Sequence, residues 1–110
     1  MSELFPKPVK RDSFRRSRER FLPDSSGCYV LTTFDGTILY IGLTAGIRRR
    51  MIQHLDTPKK VASTPLGRAT WIYWFETPET NKVERTWLNI HLSAEGSLPI
   101  LNSRYSPTST

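Results

Sequence analysis

Two tyrosines, a run of three arginines and a histidine lie within one stretch of the sequence, residues 27–54. The guanidinium of Arg50 can form two parallel hydrogen bonds with phosphate oxygens. The imidazole of His54 can take up or release a proton near neutral pH. The phenols of Tyr29 and Tyr40 have an ordinary pKa of about 10, so either acts as a base only where positive charge lowers that value. Together these side chains could bind a phosphate and transfer a proton beside it.

The local pattern predicts that a β-hairpin and a helix hold these side chains. Asp35-Gly36 separates two strand-like runs, and this dipeptide tolerates the positive φ of a tight hairpin turn. Apolar residues then recur at intervals of four, which predicts a helix; they are Ile47, Met51 and Leu55. Arg50 and His54 are also four residues apart, so they share one face of that helix.

Two further elements follow and complete the order β-β-α-β-α. Residues 69–75 are aromatic and β-branched with little alternation, which predicts a central strand buried on both faces. The next helix ends near Gly96 and carries an apolar stripe, which consists of Val83, Trp87, Ile90 and Ala94. Glu84 lies beside this stripe, where a lone carboxylate is most often a salt-bridge partner at the boundary of the core.

The composition restricts the class of protein. A chain of 110 residues with 37% hydrophobic residues fits one globular domain with a small core. No apolar run approaches the roughly 20 residues of a membrane-spanning helix. The single cysteine, Cys28, excludes an internal disulfide and a cysteine-based zinc site. We therefore expect no membrane partner and an intracellular location, either cytoplasmic or nucleoid-associated.

The net charge of +6 favours a polyanionic partner, since neutralising phosphates releases counterions. Residues 1–20 hold seven basic residues against three acidic ones, so much of the excess charge lies there. We predict a basic N-terminal extension over residues 1–22, a domain over residues 23–102 and a disordered tail over residues 103–110. The extension is expected either to follow nucleic-acid phosphates or to be an unstructured arm.

The order of these residues resembles that of the GIY-YIG endonuclease family. Gly27-Cys28-Tyr29 corresponds to the first motif and Tyr40-Ile41-Gly42 to the second, the second tyrosine lying eleven residues after the first. The family's helix arginine falls ten residues beyond the second tyrosine, at Arg50, and a histidine often follows one turn later, at His54. Because these positions are filled in order, the match is far more specific than one tyrosine-glycine pair.

Two later residues extend the resemblance. The family has a metal-binding glutamate early in a later helix and an asparagine near the end of the domain, and Glu84 and Asn102 match those positions. The resemblance then covers about residues 27–102. It implies an α/β fold with a small, mostly antiparallel three-stranded sheet flanked by helices, which agrees with the β-β-α-β-α order.

The resemblance implies a metal-dependent DNA endonuclease that hydrolyses phosphodiester bonds. Glu84 would hold one Mg²⁺ or Mn²⁺ ion, and Arg50 would bind phosphate. Tyr29 would position or deprotonate the attacking water, with Tyr40 and His54 as partners that contact phosphate or carry protons. Asn102, as either the family asparagine or a turn residue, completes the catalytic set. The cations expected to contact DNA are Arg15, Arg16, Arg48, Arg49, Lys59, Lys60 and Arg68.

Two other classes of function stay open at this point. The chain could be a nucleic-acid-binding module with a decayed nuclease site, although the six filled positions disfavour decay, or it could be a basic subunit of a DNA-processing complex. Which tyrosine is the base also stays open, as does the DNA target, which could be branched, damaged or a short sequence. Specificity would come from DNA structure, a partner protein or a homodimer.

Overall fold

The computed structural model describes residues 4–102, and a four-stranded antiparallel sheet forms its centre. The strands are β1 (Lys10–Ser13), β2 (Gly27–Thr32), β3 (Ile38–Thr44) and β4 (Trp71–Glu76). The helices are α1 (Ile47–Leu55), α2 (Pro58–Val61) and α3 (Thr80–Glu95), and a short 3-10 helix (Arg16–Phe21) joins β1 to β2. The predicted α/β class with a small antiparallel sheet flanked by helices is confirmed.

The hairpin of β2 and β3 forms where the sequence predicts it. Gly36 in the turn has a φ of 93°, a left-handed conformation that glycine adopts without a steric penalty. The register places Tyr29 opposite Gly42 and Val30 opposite Ile41. Both strands are buried along their whole length. This hairpin therefore forms the inner part of the domain and holds the side chains of both tyrosine motifs.

Two apolar clusters pack against the sheet. The first joins the sheet to α1 and includes Tyr29, Leu31, Ile72, Ile47 and Met51. The second joins the sheet to α3 and includes Cys28, Val30, Ile41, Val83 and Trp87. Neighbouring residues of β2 enter different clusters because successive side chains of a strand point to opposite faces. The Trp87 side chain is fully buried, and removing one of this size costs about 3–5 kcal/mol of folding free energy.

β4 lies between β1 and β2 in the sheet, so its predicted central position is confirmed. Its predicted burial on both faces is wrong. Burial alternates along the strand: Ile72 and Trp74 are buried, whereas Trp71, Tyr73 and Phe75 are only half-buried. The reason is that α3 packs mainly on β3 and β2, so the outer part of this face lacks a helical cover.

The sheet has four strands rather than the three expected, because β1 pairs antiparallel with β4. The boundary predicted at residue 22 does not separate an extension from the domain, since Leu4, Phe14 and Leu22 are all buried. The residues of β1 are polar and show no apolar alternation, so pattern analysis misses them. Strand pairing uses backbone groups that every residue carries, and β4 supplies the edge that recruits this segment.

The end of the described chain runs along the outer edge of β3. The main-chain N–H of Leu101 donates a hydrogen bond to the carbonyl of Leu39 over 2.9 Å. The predicted tail, residues 103–110, lies outside the described residues. Within residues 4–102, no helix is long and apolar enough to cross a membrane.

Candidate active site

Tyr29, Tyr40 and His54 form a compact cluster where β2, β3 and α1 meet. The Tyr29 Oη and His54 Nε2 atoms lie 2.5 Å apart, which is a short hydrogen bond. The ring centroids of Tyr29 and Tyr40 are 5.9 Å apart, and those of Tyr40 and His54 are 5.2 Å apart in an edge-to-face arrangement. All three side chains are buried. Three of the predicted site residues therefore lie in direct contact with one another.

The glycine of the second motif makes room for this cluster. Gly42 lies opposite Tyr29 in the β2–β3 register. A Cβ atom at position 42 would lie 2.6 Å from the Tyr29 hydroxyl oxygen and 2.8 Å from a ring carbon of Tyr40. Any side chain here would push both phenols out of place. The glycine is therefore required by the close approach of Tyr29 to the backbone of β3.

Burial and charge determine the protonation states in the cluster. Burial, with a further contribution from Tyr40, raises the pKa of Tyr29 well above its ordinary value of 10, while the charge of Arg50 opposes this. Burial, together with the positive charges of Lys60 and Arg50, lowers the pKa of His54 to about 3. At neutral pH, Tyr29 is a protonated phenol and His54 a neutral imidazole. In the tautomer that carries its proton on Nδ1, His54 accepts the hydrogen bond that Tyr29 donates.

Arg50 supplies positive charge to every member of the cluster. It lies on α1 one turn before His54, as the spacing predicts, and it is half-buried. Its guanidinium lowers the pKa of Tyr29, Tyr40 and His54. A cation in this place favours a phenolate over a phenol and attracts an anion to the cluster.

Glu84 is buried in the first half of α3, with only 6% of its surface exposed. Its Oε2 atom is the one buried side-chain oxygen or nitrogen within residues 4–102 that has no hydrogen-bond partner. Burial raises the pKa of Glu84 to about 7, although the charge of Arg85 acts in the opposite direction. The Glu84 charge in turn raises the pKa of both Tyr29 and Tyr40, so the carboxylate acts on the same cluster. Glu84 forms none of the ion pairs found in this part of the chain.

An unpartnered, buried carboxylate oxygen fits a hard divalent cation, which prefers oxygen ligands. Within residues 4–102 there is no cluster of three or more His, Cys, Asp or Glu side chains that could enclose a metal ion. A cation bound at Glu84 would therefore take most of its ligands from water and substrate phosphate. Sites for Mg²⁺ often have this composition, because Mg²⁺ gives up its water ligands reluctantly.

The side chain of Asn102 is hydrogen-bonded to the backbone of β3. The main-chain N–H of Ile41 donates to Asn102 Oδ1 over 3.0 Å, and Asn102 Nδ2 donates to the Ile41 carbonyl over 2.9 Å. The amide side chain thus pairs with both backbone polar groups of Ile41, as the backbone of a neighbouring strand would. Because Ile41 lies between Tyr40 and Gly42, these two hydrogen bonds hold the second motif in position.

The cations predicted to contact DNA differ in how they are held. Arg48 is half-buried, and its Nε donates to the Leu22 carbonyl over 2.9 Å, so it also ties α1 to the segment after the 3-10 helix. Arg16 and Arg49 form exposed ion pairs with aspartates. Three predicted residues are exposed and form no ion pair within residues 4–102: Arg15, Lys59 and Arg68.

Lys60, which the sequence predicts only as one of several DNA-contacting cations, lies beside the tyrosine–histidine cluster. Its Nζ lies 4.7 Å from the centroid of the Tyr40 ring. It also lowers the pKa of His54, so it belongs to the electrostatic environment of the cluster. No periodic pattern connects Lys60 to Tyr40, so the sequence carries no signal for this contact.

A model of the GIY-YIG catalytic domain matches residues 25–96, which is well over half of the 110-residue chain. The match includes the hairpin, α1, β4 and all of α3. No curated protein matches the chain closely enough to be counted as a relative. The chain belongs to the GIY-YIG family, whose catalytic domains are typically nucleases.

Proposed function

We propose that the protein is a divalent-metal-dependent DNA endonuclease that hydrolyses phosphodiester bonds. The observation that carries this proposal is the short hydrogen bond between Tyr29 and a neutral His54, beside the charges of Arg50 and Glu84. Hydrolysis requires a route for the proton of the attacking water and stabilisation of the negative charge that develops on phosphate. The side chains of this cluster can meet both requirements.

Tyr29 and His54 are suited to act together on the proton. Tyr29 is protonated at neutral pH, because burial raises its pKa, so it cannot act as a standing phenolate. In our proposal it takes a proton from water while its own proton passes to His54 Nε2, 2.5 Å away. This assigns the role of base to the tyrosine of the first motif, and it leaves Tyr40 to order the water or the phosphate.

Substrate binding would make His54 a better proton acceptor. Burial is the largest cause of the low pKa of His54, and the charges of Lys60 and Arg50 also contribute to it. A phosphate bound beside these two cations offsets their charge, so the pKa of His54 rises towards its ordinary value. The site would then become competent for proton transfer only when the substrate is present.

Glu84 would hold the metal ion, since its buried Oε2 atom has no hydrogen-bond partner among the described residues and can serve as a ligand. A bound Mg²⁺ or Mn²⁺ supplies charge stabilisation at the phosphate and the leaving oxygen. Arg50 would add a second positive charge by binding phosphate oxygens. Asn102 would act indirectly, by keeping Tyr40 in place through its hydrogen bonds to Ile41.

Nicking of supercoiled plasmid DNA tests the proposal. The protein should convert supercoiled to open-circular DNA in Mg²⁺ or Mn²⁺ and should stop when EDTA is added. Glu84→Gln should abolish nicking, because the carboxylate that would hold the metal ion is lost. It should retain DNA binding, because a negative charge near the phosphate is removed. Glu95→Gln is the matched control, since Glu95 is exposed on the same helix. It should nick at the wild-type rate.

Two results would contradict this function. Glu84→Gln nicking as fast as the unmodified protein would show that the carboxylate does not hold the metal. Tight binding without cleavage of linear, branched and damaged duplexes, in both metals, would instead support a nucleic-acid-binding module.

A further inference from the structure

Lys59 and Lys60 are neighbours on α2, but their surroundings differ. Lys59 is exposed, whereas Lys60 is half-buried with its Nζ 4.7 Å from the Tyr40 ring centroid. A cation over an aromatic face at this distance is held by the negative face of the ring. Lys60 therefore has a defined place at the edge of the Tyr29–Tyr40–His54 cluster, and Lys59 does not.

Main-chain hydrogen bonds connect Lys60 to the end of α1. The N–H of Thr57 donates to the His54 carbonyl over 3.0 Å, and the N–H of Lys60 donates to the Thr57 carbonyl over 2.9 Å. Two consecutive bonds thus link the backbone of Lys60 to that of a cluster residue. The turn between the two helices therefore fixes the backbone of Lys60, and the contact with the Tyr40 ring places its ammonium group.

The charge of Lys60 has no anionic partner among the described residues. The ion pairs in this part of the chain join Arg16, Arg18 and Arg49 to aspartates. Burial lowers the pKa of Lys60, and the charges of Lys59 and Arg50 lower it further, so its surroundings are already positive. A half-buried cation next to other cations costs free energy that an incoming anion would recover.

We propose that Lys60 binds a non-bridging oxygen of the scissile phosphate over the Tyr40 ring and so positions the substrate for attack. This inference rests on the proposed function and goes beyond it, because it separates Lys60 from the cations that attract DNA in general. Lys59, being exposed, contributes to that general attraction. Lys60 is a substrate-positioning residue, and its loss should affect the rate of the bound complex more than the formation of the complex.

Single-turnover cleavage at saturating DNA tests the distinction. Lys60→Met keeps the length of the side chain but removes the charge, and it should lower the rate by about 10²-fold, as for other groups that contact the reacting phosphate or oxyanion. Its DNA dissociation constant should change by less than about threefold, as expected when one of several phosphate contacts is lost. Lys60→Arg keeps the charge and should recover part of the rate. Lys59→Met should alter the dissociation constant more than the rate.

Lys82→Met is the matched control, because Lys82 is exposed on α3 and lies outside the predicted DNA-contacting set. Both its rate and its affinity should equal those of the unmodified protein. Thermal melting of each variant identifies any loss of folding, and Lys60→Gln replaces Lys60→Met if the latter melts early. A rate for Lys60→Met within about threefold of wild type at saturating DNA would overturn the inference, since that is the size expected for an exposed charge.

A second measurement does not need cleavage. A thymidine dinucleotide joined by one phosphodiester is added to the protein, and the ring resonances of Tyr40 are followed by NMR. We expect shifts in the unmodified protein and in Lys82→Met, and much smaller shifts in Lys60→Met. If these shifts occur but plasmid DNA is never nicked, the proposed function fails and the Lys60 site stands. Equal shifts in the unmodified protein and Lys60→Met, or none in either, overturn the Lys60 site.

Discussion

Replacing Glu84 by Gln should stabilise the fold in alkaline solution and change it little in mild acid. The folded-state pKa of about 7 exceeds the ordinary value of 4.5, because burial disfavours the charged carboxylate. The stability associated with the neutral carboxyl group is therefore complete below pH 4.5 and is lost as the pH rises through 7. The Glu84→Gln variant does not titrate, so it escapes this loss.

The size of the effect follows from the two pKa values. At about 1.4 kcal/mol per pH unit, the difference corresponds to about 3 kcal/mol of unfolding free energy. About 2–3 kcal/mol of this falls between about pH 5 and pH 8, where the protein can be handled. The stability of the unmodified protein relative to Glu84→Gln should therefore decrease by that amount over this range.

The change in unfolding free energy is measured by urea unfolding at several pH values, on the unmodified protein, Glu84→Gln and Glu95→Gln. His54 has the opposite effect on all three proteins, because its folded-state pKa is lowered: its contribution is present above its ordinary value of 6.5 and is lost as the pH falls towards 3. Taking the difference between variants at each pH cancels that contribution. Glu95→Gln should show the same pH dependence as the unmodified protein, since Glu95 is exposed.

Metal ions extend the same experiment without any cleavage assay. Adding Mg²⁺ above pH 7 should stabilise the unmodified protein by about 1.4 kcal/mol at tenfold excess over the dissociation constant, because only the folded state holds the ion. The effect should be absent in Glu84→Gln and should fade as the pH drops and the carboxyl group takes up a proton. If the difference in unfolding free energy between the unmodified protein and Glu84→Gln stays constant from pH 5 to pH 8, the reasoning is refuted. Glu84 would then be solvated, with a pKa near its ordinary value of 4.5.

Three further predictions concern the support of the site. Gly42→Ala places a methyl group 2.6 Å from the Tyr29 hydroxyl oxygen, so nicking should fall at least about tenfold and the melting temperature should decrease; wild-type rates would show that the phenol can move aside freely. Asn102→Ala removes both hydrogen bonds to Ile41 and should cost about 1–3 kcal/mol in urea unfolding, and Asn102→Asp should cost at least as much, because a carboxylate oxygen would replace the Nδ2 donor beside the Ile41 carbonyl oxygen. Deleting residues 1–22 should destabilise the domain by more than about 4 kcal/mol, because it removes β1 and three buried core side chains; a deletion variant that melts like the full chain and only binds DNA more weakly would contradict this.

The sequence predicted the parts of the fold that depend on neighbouring residues. The hairpin follows from Asp35-Gly36, and α1 follows from apolar residues at intervals of four. Pairing of Arg50 with His54 on one helix face depends only on helical geometry. The strand β1 could not be predicted in this way, because its four residues are polar and become a strand only when β4 offers them an edge.

The candidate site divides along the same line. Sequence spacing alone determined that two tyrosines, an arginine, a histidine and a glutamate occur in the family's order, and membership in the GIY-YIG family confirms that resemblance. Only the tertiary structure decided that Tyr29 hydrogen-bonds His54, that Glu84 Oε2 is buried without a partner and that Lys60 lies over Tyr40. These features depend on distances between segments far apart in the chain and on exclusion of water between them. No periodicity or spacing within a single segment encodes either quantity.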